Sequence, residues 1–330
     1  MFKDFLILIL GLCVLVLAAD QFLNGTSRLA ERFKIPKALV GALLVGFGTS
    51  TPELAASLTA VFQQEVGGIE LAVGNVVGSN VANLGLVLAL PILIWGNVIP
   101  PHGTKEQAWY SFLGALLFTG VVYLKINSAL GGLILLLFFC LANYAILLHF
   151  KKSGLDPPRS SKRLDPSDSS EKEGWPVSRE IIVMTIGLAL TVLSPRWIVS
   201  SAVSIGNEFG WEGGFIGFSL VAIGTSLPEL VIFLVGMRRG EWGLIIGNLF
   251  GSNLFNSLGV GSAILLSHSG LARSSEQPFM DGSVLLGMCF LCFFAFWCVR
   301  KPVTVSKWNA LLLLLIYALL FWQMIRTLTG

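Results

Sequence analysis

Charge is scarce in this chain: charged residues make up 12% of 330, where an ordinary globular domain carries roughly a quarter. Hydrophobic residues reach 54%, more than one or two soluble cores could hide, which points to an integral membrane protein. Neither sign dominates. The 22 basic and 19 acidic residues leave a net +3, without the basic stripe that engages a nucleic-acid backbone. Histidine is nearly absent: His102, His149 and His268 all lie near the ends of apolar runs. The five cysteines (Cys13, Cys140, Cys289, Cys292 and Cys298) sit inside such runs. Cys289 and Cys292 form a CxxC with no second pair and no nearby histidine, which reads as helix filler rather than a zinc or redox site. No disulfide framework is implied and soft-metal transport is disfavoured. A membrane enzyme is also disfavoured, since no HExxH helix, no paired intramembrane aspartates and no Ser/His arrangement is visible.

Apolar runs of about 20 residues, the length needed to cross a bilayer core, recur with short polar interruptions. Ten are expected: Phe5–Ser27, Lys37–Gln63, Ile69–Trp95, Gln107–Leu124, Ile126–Phe150, Ser178–Asn207, Gly213–Met237, Glu241–Ser267, Met280–Val299 and Thr304–Met324. The first is too long for a signal peptide and lacks a convincing cleavage site, so it is kept as a mature helix. The runs are continuously apolar and rich in leucine rather than alternating, which predicts an all-α fold rather than a barrel.

Ten crossings put both termini on one side. Lys3, Lys125, Arg196, Arg273 and Arg326 share the face of the termini, and the remaining basic residues fall on the other. The positive-inside rule then places both termini outside the cell membrane and the long central loop in the cytoplasm. That loop, about Lys151 to Val177, is rich in Ser, Pro, Asp and Lys and reads as a linker. The expected organisation is a first five-helix unit over 1–150, a linker over 151–177 and a second five-helix unit over 178–330.

The two halves repeat each other. GALLVGFGTSTPEL (Gly41–Leu54) aligns without gaps on GFSLVAIGTSLPEL (Gly217–Leu230), and GNVVGSNVAN (Gly74–Asn83) on GNLFGSNLFN (Gly247–Asn256). Units with an odd number of crossings insert in opposite orientations, so the repeat is inverted. Many secondary transporters use this architecture, with their site at the midplane where the repeats meet.

In Gly48-Thr49-Ser50-Thr51-Pro52-Glu53 and Gly224-Thr225-Ser226-Leu227-Pro228-Glu229, the proline removes a helical hydrogen bond beside a glycine. This predicts discontinuous helices at membrane depth, tolerated only where they line a cavity or lie within protein. Spacings of three and four residues put the Thr and Ser hydroxyls on the same face as the carboxylate. An ionisable residue at mid-membrane costs at least about 2.5–3.5 kcal/mol to insert and marks an ion or proton pathway. A lone glutamate would read equally as half of a buried interhelical pair; two at equivalent positions behind Gly-Thr-Ser-x-Pro favour a site.

Asn75, Ser79 and Asn83 recur every four residues, as do Asn248, Ser252 and Asn256, each trio a polar stripe on an apolar helix. Gly74 and Gly78, and Gly247 and Gly251, share the spacing that lets backbones approach. The stripes could merely hold helices together; beside two glutamate-bearing breaks they read as neutral oxygen ligands. An all-oxygen donor set suits hard cations such as calcium and sodium. Two glutamates give a site of charge −2, which one calcium ion, sodium ions or protons would neutralise. An unneutralised −2 site is costly to carry through an occluded state, so competition for one shared site would produce antiport.

At these motifs the sequence resembles the cation/calcium antiporter superfamily, and within it the microbial sodium/calcium exchanger branch. GTSTPE with GNVVGSNVAN resembles that family's first α-repeat, and GTSLPE with GNLFGSNLFN its second. The resemblance implies that Thr49, Ser50, Glu53, Ser79 and Asn83, with Thr225, Ser226, Glu229, Ser252 and Asn256, line a central site for transported Na+ and Ca2+. It adds the backbone carbonyls of Gly46 and Ala222, and a pair of gate helices, the first and sixth, sliding past a core of the second, third, seventh and eighth.

Three departures qualify the likeness. Potassium-dependent relatives and some microbial exchangers carry Asp where Asn256 stands, which argues against potassium cotransport. Calcium/proton exchangers of the superfamily typically carry a GNxxE pattern that is absent here, which favours sodium over protons. The linker is too short for the calcium-sensing domains of animal exchangers. The resulting expectation is a sodium-driven calcium antiporter without cofactors, whose partners are its ions and the lipid bilayer, with no obligate protein partner. A calcium/proton antiporter or a cation channel built on the same glutamates are the alternatives. Asp20 and Arg196, equivalent by alignment on the two glutamates, are a candidate ion pair across the pseudo-twofold axis, or else lie separately at interfaces. Asn24-Gly25-Thr26 matches a glycosylation sequon by pattern only.

Overall fold

A computed structural model describes residues 2–62, 68–96, 100–101, 103–126, 128–152, 176–208, 224–267, 282–300 and 305–329. Among these residues the regular structure is helical, apart from an isolated bridge at Val305. Seven helices are long and apolar enough to cross a membrane: Phe2–Arg32, Lys37–Phe62, Leu71–Trp95, Ser128–Lys152, Val177–Ile205, Trp242–Ser267 and Gly282–Val299. Of the other three expected spans, the fourth is a 20-residue helix over Thr104–Tyr123, made less apolar by Lys105, Glu106, Gln107 and Ser111. The tenth is a helix over Lys307–Thr329 whose apolar part is shorter. The seventh is described only from Gly224 onward.

The first helix, α1 (Phe2–Arg32), is followed by a broken second span. This comprises α2 (Lys37–Val40), a π-helical turn over Gly41–Val45, α3 (Gly46–Thr49) and α4 (Thr51–Phe62). The third span is α5 (Gly68–Ala82), a π-helical turn over Asn83–Leu88, and α6 (Ala89–Trp95). Next come α7 (Thr104–Tyr123) and α8 (Ser128–Lys152), then α9 (Val177–Glu208) and α10 (Leu227–Arg239). The eighth span repeats the third: α11 (Trp242–Leu254), a π-helical turn over Phe255–Val260, and α12 (Gly261–Ser267). Helices α13 (Gly282–Val299) and α14 (Lys307–Thr329) close the chain.

The protein is a membrane protein, and its burial pattern is inverted accordingly. Leu130, Leu133, Leu137 and Leu141 of α8 and Leu286 and Phe290 of α13 are exposed, apolar surface that a soluble monomer would not carry on this scale. At the centre, every residue of α11 from Leu244 to Leu254 is buried. Side chains of α5, α11 and α13 share one large apolar cluster. A second, separate cluster joins Leu15, Ala19, Phe22, Leu23 and Ile198 of α1 and α9 to Val45, Val231, Ile232, Val235 and Leu244. Helices α1 and α9 lie antiparallel, with Gly11 facing Ile198, Gly25 facing Met184, and Gly187 facing the backbone of Phe22 and Ala18.

Polar contacts gather at one end of this bundle. Gly240, at φ 70°, ends α10: its N–H reaches the Met237 carbonyl at 3.1 Å and the Glu241 N–H reaches Gly236 at 2.9 Å, a Schellman motif. Glu241 then accepts from Lys37 Nζ at 2.9 and 2.8 Å and from Ser27 Oγ at 2.8 Å. Lys37 also meets Glu31 at 2.8 Å. Lys34 ends α1 in the same left-handed conformation, φ 55°, with Ile35 N–H on Ala30 at 2.8 Å.

Candidate ion-binding site

The second span breaks at Ser50, whose φ −86° and ψ 10° leave the helix, and the seventh at Ser226, with φ −90° and ψ 3°. The same departure occurs at repeat-equivalent residues because each precedes a proline by two positions. Proline cannot donate back into the helix but fits the first turn of a new one. Glu53 and Glu229 therefore fall in the first turns of α4 and α10, where unpaired N–H groups and the helix dipole favour negative charge.

The expected ligands are drawn inward. Thr49, Ser50, Glu53, Ser79, Asn83, Ser226, Glu229, Ser252 and Asn256 are all buried, with Glu53 and Glu229 only 1% and 0% exposed. Gly46 is buried and Thr225 half-buried; Ala222 lies outside the described residues. The two halves interlock here. Thr49 Oγ1 donates to Asn248 Oδ1 at 3.1 Å and lies 3.5 Å from Ser252 Oγ. Ser252 Oγ donates to the Gly46 carbonyl at 3.2 Å, and Ser50 Oγ to Glu229 Oε1 at 3.3 Å. Within the first half, Asn75 Nδ2 donates to the Glu53 carbonyl at 3.0 Å and to Ser57 Oγ at 2.9 Å.

Glycines set these distances. A Cβ on Gly46 would stand 2.9 Å from the Ser252 nitrogen, and Cβ atoms on Gly41, Gly247 and Gly251 would meet the carbonyls of Leu244, Ala38 and Ala42 respectively. The Gly41–Val45 turn and α11 thus touch backbone to backbone, which brings Asn248 and Ser252 against Thr49.

Several buried oxygens have no hydrogen-bond partner among the described residues: Glu53 Oε2, Glu229 Oε2, Asn83 Oδ1 and Ser226 Oγ; so too both amide atoms of Asn256. Leaving a buried acceptor unsatisfied costs about 1–3 kcal/mol, and more for a charged group. A cluster of carboxylate, amide and hydroxyl oxygens of this kind can be satisfied by a hard cation.

Some features are not in the sequence-based expectation. Asn83 opens one π-helical turn and Asn256 is the second residue of another; such turns hold an extra residue and recur at functional sites. Asn80 and Asn253, the middle residues of each Gly-Ser-Asn, lie off the i, i+4 stripe yet are fully buried. Asn253 Oδ1 accepts from Asn83 Nδ2 at 2.9 Å. Their repetition was the signal available. Asp20 does not pair with Arg196. It accepts from Arg239, at 2.6 Å from Nε and 2.5 Å from Nη2, because α1 lies along α10 and brings the end of that helix within reach. Of the cysteines, Cys289 Sγ lies 3.2 Å from Thr119 Oγ1 across the α7–α13 contact.

A solved structure of the sodium-calcium exchanger NCX_Mj, soaked with 2.5 mM Na+ and 0.1 mM Ca2+, matches with a TM-score of 0.75 at 25% identity, covering 97% of each chain. The sodium/calcium exchanger MaX1 of Methanosarcina acetivorans is 28% identical in an alignment that covers 95% of this chain and 96% of that one. The inner membrane protein YrbG of Escherichia coli is 30% identical over 252 residues, 76% of this chain and 75% of its own. The family model for sodium/calcium exchanger proteins matches residues 3–148 and 180–326, and the chain belongs to that family.

Proposed function

We propose that the protein is a secondary antiporter that exchanges Na+ for Ca2+ by alternating access, the two ions competing for the oxygen cluster around Glu53 and Glu229. The observation that carries this reading is the convergence of both halves on that cluster. The Ser50–Glu229 and Thr49–Asn248 contacts cross from one repeat to the other, and each glutamate keeps a buried carboxylate oxygen without a partner among the described residues. The ligands in this reading are Thr49, Ser50, Glu53, Ser79, Asn83, Thr225, Ser226, Glu229, Ser252 and Asn256, with the carbonyls of Gly46 and Ala222.

Ten crossings in two inverted five-helix units, 1–150 and 178–330, complete the proposal. The two separately matched stretches of the family support that division, as do the equivalent breaks at Ser50 and Ser226. Both termini lie outside and the 151–177 linker in the cytoplasm. The apolar contact of α1 and α9 with Val45, Val231, Ile232, Val235 and Leu244 supports the pair as the moving gate, because contacts between apolar side chains are non-directional and tolerate sliding.

The test is calcium uptake into proteoliposomes under an imposed sodium gradient, for the native chain and for Glu53→Gln and Glu229→Gln. Sodium-dependent uptake that disappears in both variants is expected. Native-level flux in either variant would remove the glutamates from the mechanism. Uptake driven only by a pH gradient would make the counter-ion a proton, and single-channel currents without counter-ion dependence would make the protein a channel.

A further inference from the structure

Asn80 and Asn253 are equivalent in the repeat, yet their amides are used differently. Asn253 Nδ2 donates to the backbone carbonyl of Asn80 at 3.4 Å, while its Oδ1 accepts from Asn83 Nδ2 at 2.9 Å. A backbone carbonyl can only accept, so it dictates which end of the Asn253 amide faces it; reversed, two oxygens would oppose each other. Asn253 then offers an oxygen to Asn83, and Asn83 must answer with its NH2. What remains of Asn83 is the carbonyl Oδ1, buried and without a partner among the described residues. A chain of two bonds thereby fixes oxygen, rather than nitrogen, at the end of Asn83 that the protein leaves unused.

The second half does not reproduce this chain. Asn80 Nδ2 donates instead to Ser257 Oγ at 2.7 Å. Continuing the repeat alignment by one residue, the position equivalent to Ser257 is Leu84, which offers Asn253 nothing polar. Ser257 thus draws Asn80 away from the task that Asn253 performs, and both amide atoms of Asn256 are without partners among the described residues.

We propose that Asn253 is a positioning residue for calcium: it holds Asn83 with its carbonyl oxygen turned to the cation, while Asn256 can turn either end of its amide. This rests on reading the Glu53–Glu229 cluster as the cation site. Partners of this kind, one shell removed from an ion, change affinity by about 10–100-fold when lost.

The experiment is the calcium dependence of sodium-driven uptake in proteoliposomes. Asn253→Leu is expected to raise the apparent KM for calcium at least about tenfold, with a smaller change in maximal rate. In an Asn83→Ala background, where no side-chain carbonyl remains to be oriented, the same substitution should change KM less than about twofold. An equal factor in both backgrounds means a merely structural role and overturns the proposal, as does an unchanged KM in folded Asn253→Leu. Asn83→Ala separates the two levels. If it raises KM while the Asn253 variants do not, the cation site stands and the positioning role falls. If it leaves KM unchanged, Asn83 is not a ligand and both fall. Should Asn253→Leu not fold, a measurement on the native chain decides: on calcium titration the Asn83 side-chain carbonyl 13C signal should shift while its NH2 signals hold, and the reverse pattern overturns the proposal.

Discussion

Ser50 donates from Oγ to Glu229 Oε1 at 3.3 Å, joining the residue at which the first half's helix breaks to the carboxylate that follows the break in the second. Removing this hydroxyl takes one donor from a fully buried carboxylate and one oxygen from the proposed ligand set. A hydrogen bond to a charged group contributes about 1.5–3 kcal/mol. Ser50→Ala should therefore weaken calcium binding by about tenfold or more, read as a raised apparent KM in flux assays. An unchanged KM would mean that the pair is incidental.

The ion pair between Asp20 and Arg239 should be measurable as a coupling. Asp20→Asn and Arg239→Gln are each expected to lower the melting temperature, and a double-mutant cycle between them to show interaction of about 1 kcal/mol or more. The same cycle between Asp20 and Arg196 should be additive. Coupling to Arg196 with none to Arg239 would contradict the observed packing.

Close backbone contact at α11 makes its glycines intolerant. Gly251→Ala directs a methyl group at the Ala42 backbone, which must separate the second and eighth spans at a cost of about 1–3 kcal/mol. It should also carry Ser252 away from Gly46. Gly120→Ala is the matched control: it lies within α7, and a Cβ there meets nothing within 4 Å. It should be neutral, or stabilising by about 0.5–1 kcal/mol. Thermal melts of the two purified variants decide, and equal effects would argue against the close approach.

Lys34 occupies a left-handed conformation that glycine adopts without penalty. Lys34→Gly should raise stability by about 1 kcal/mol and leave calcium uptake unchanged, because the side chain points into solvent at the end of α1. A fall in melting temperature would show that the lysine side chain contributes more than its backbone strain costs.

The helix breaks were legible because proline and glycine act locally: Pro52 and Pro228 interrupt hydrogen bonding within their own turn, wherever the helix sits. The buried carboxylates were legible because Glu53 and Glu229 stand out against apolar surroundings. Contacts between the halves were not. That Ser50 meets Glu229, or that Asp20 meets Arg239 rather than Arg196, depends on how helices more than 170 residues apart are laid together. The π-helical turns at Asn83–Leu88 and Phe255–Val260 leave no mark in the sequence either, since no residue preference signals them as proline signals a break. Asn253 is hidden for a related reason: helical spacing puts Ser252 and Asn256 on the stripe, whereas the proposed role of Asn253 depends on the Asn80 carbonyl of the other half.

The antiparallel contact of α1 with α9 carries a consequence for motion. Where Gly187 lies on the backbone of Phe22 and Ala18, the two helices interlock at a spacing that admits no side chain. Moving one helix along the other by three residues, about 4.5 Å, would bring Met184 or Leu190 into the place of Gly187. The pair must then travel as one body. In the proposed antiporter, where each repeat contributes one member of this gate, neither half would shift its own barrier alone: the step that shuts the path on one side would be the same mechanical stroke that opens it on the other, and a state open to both sides would have no independent route by which to form.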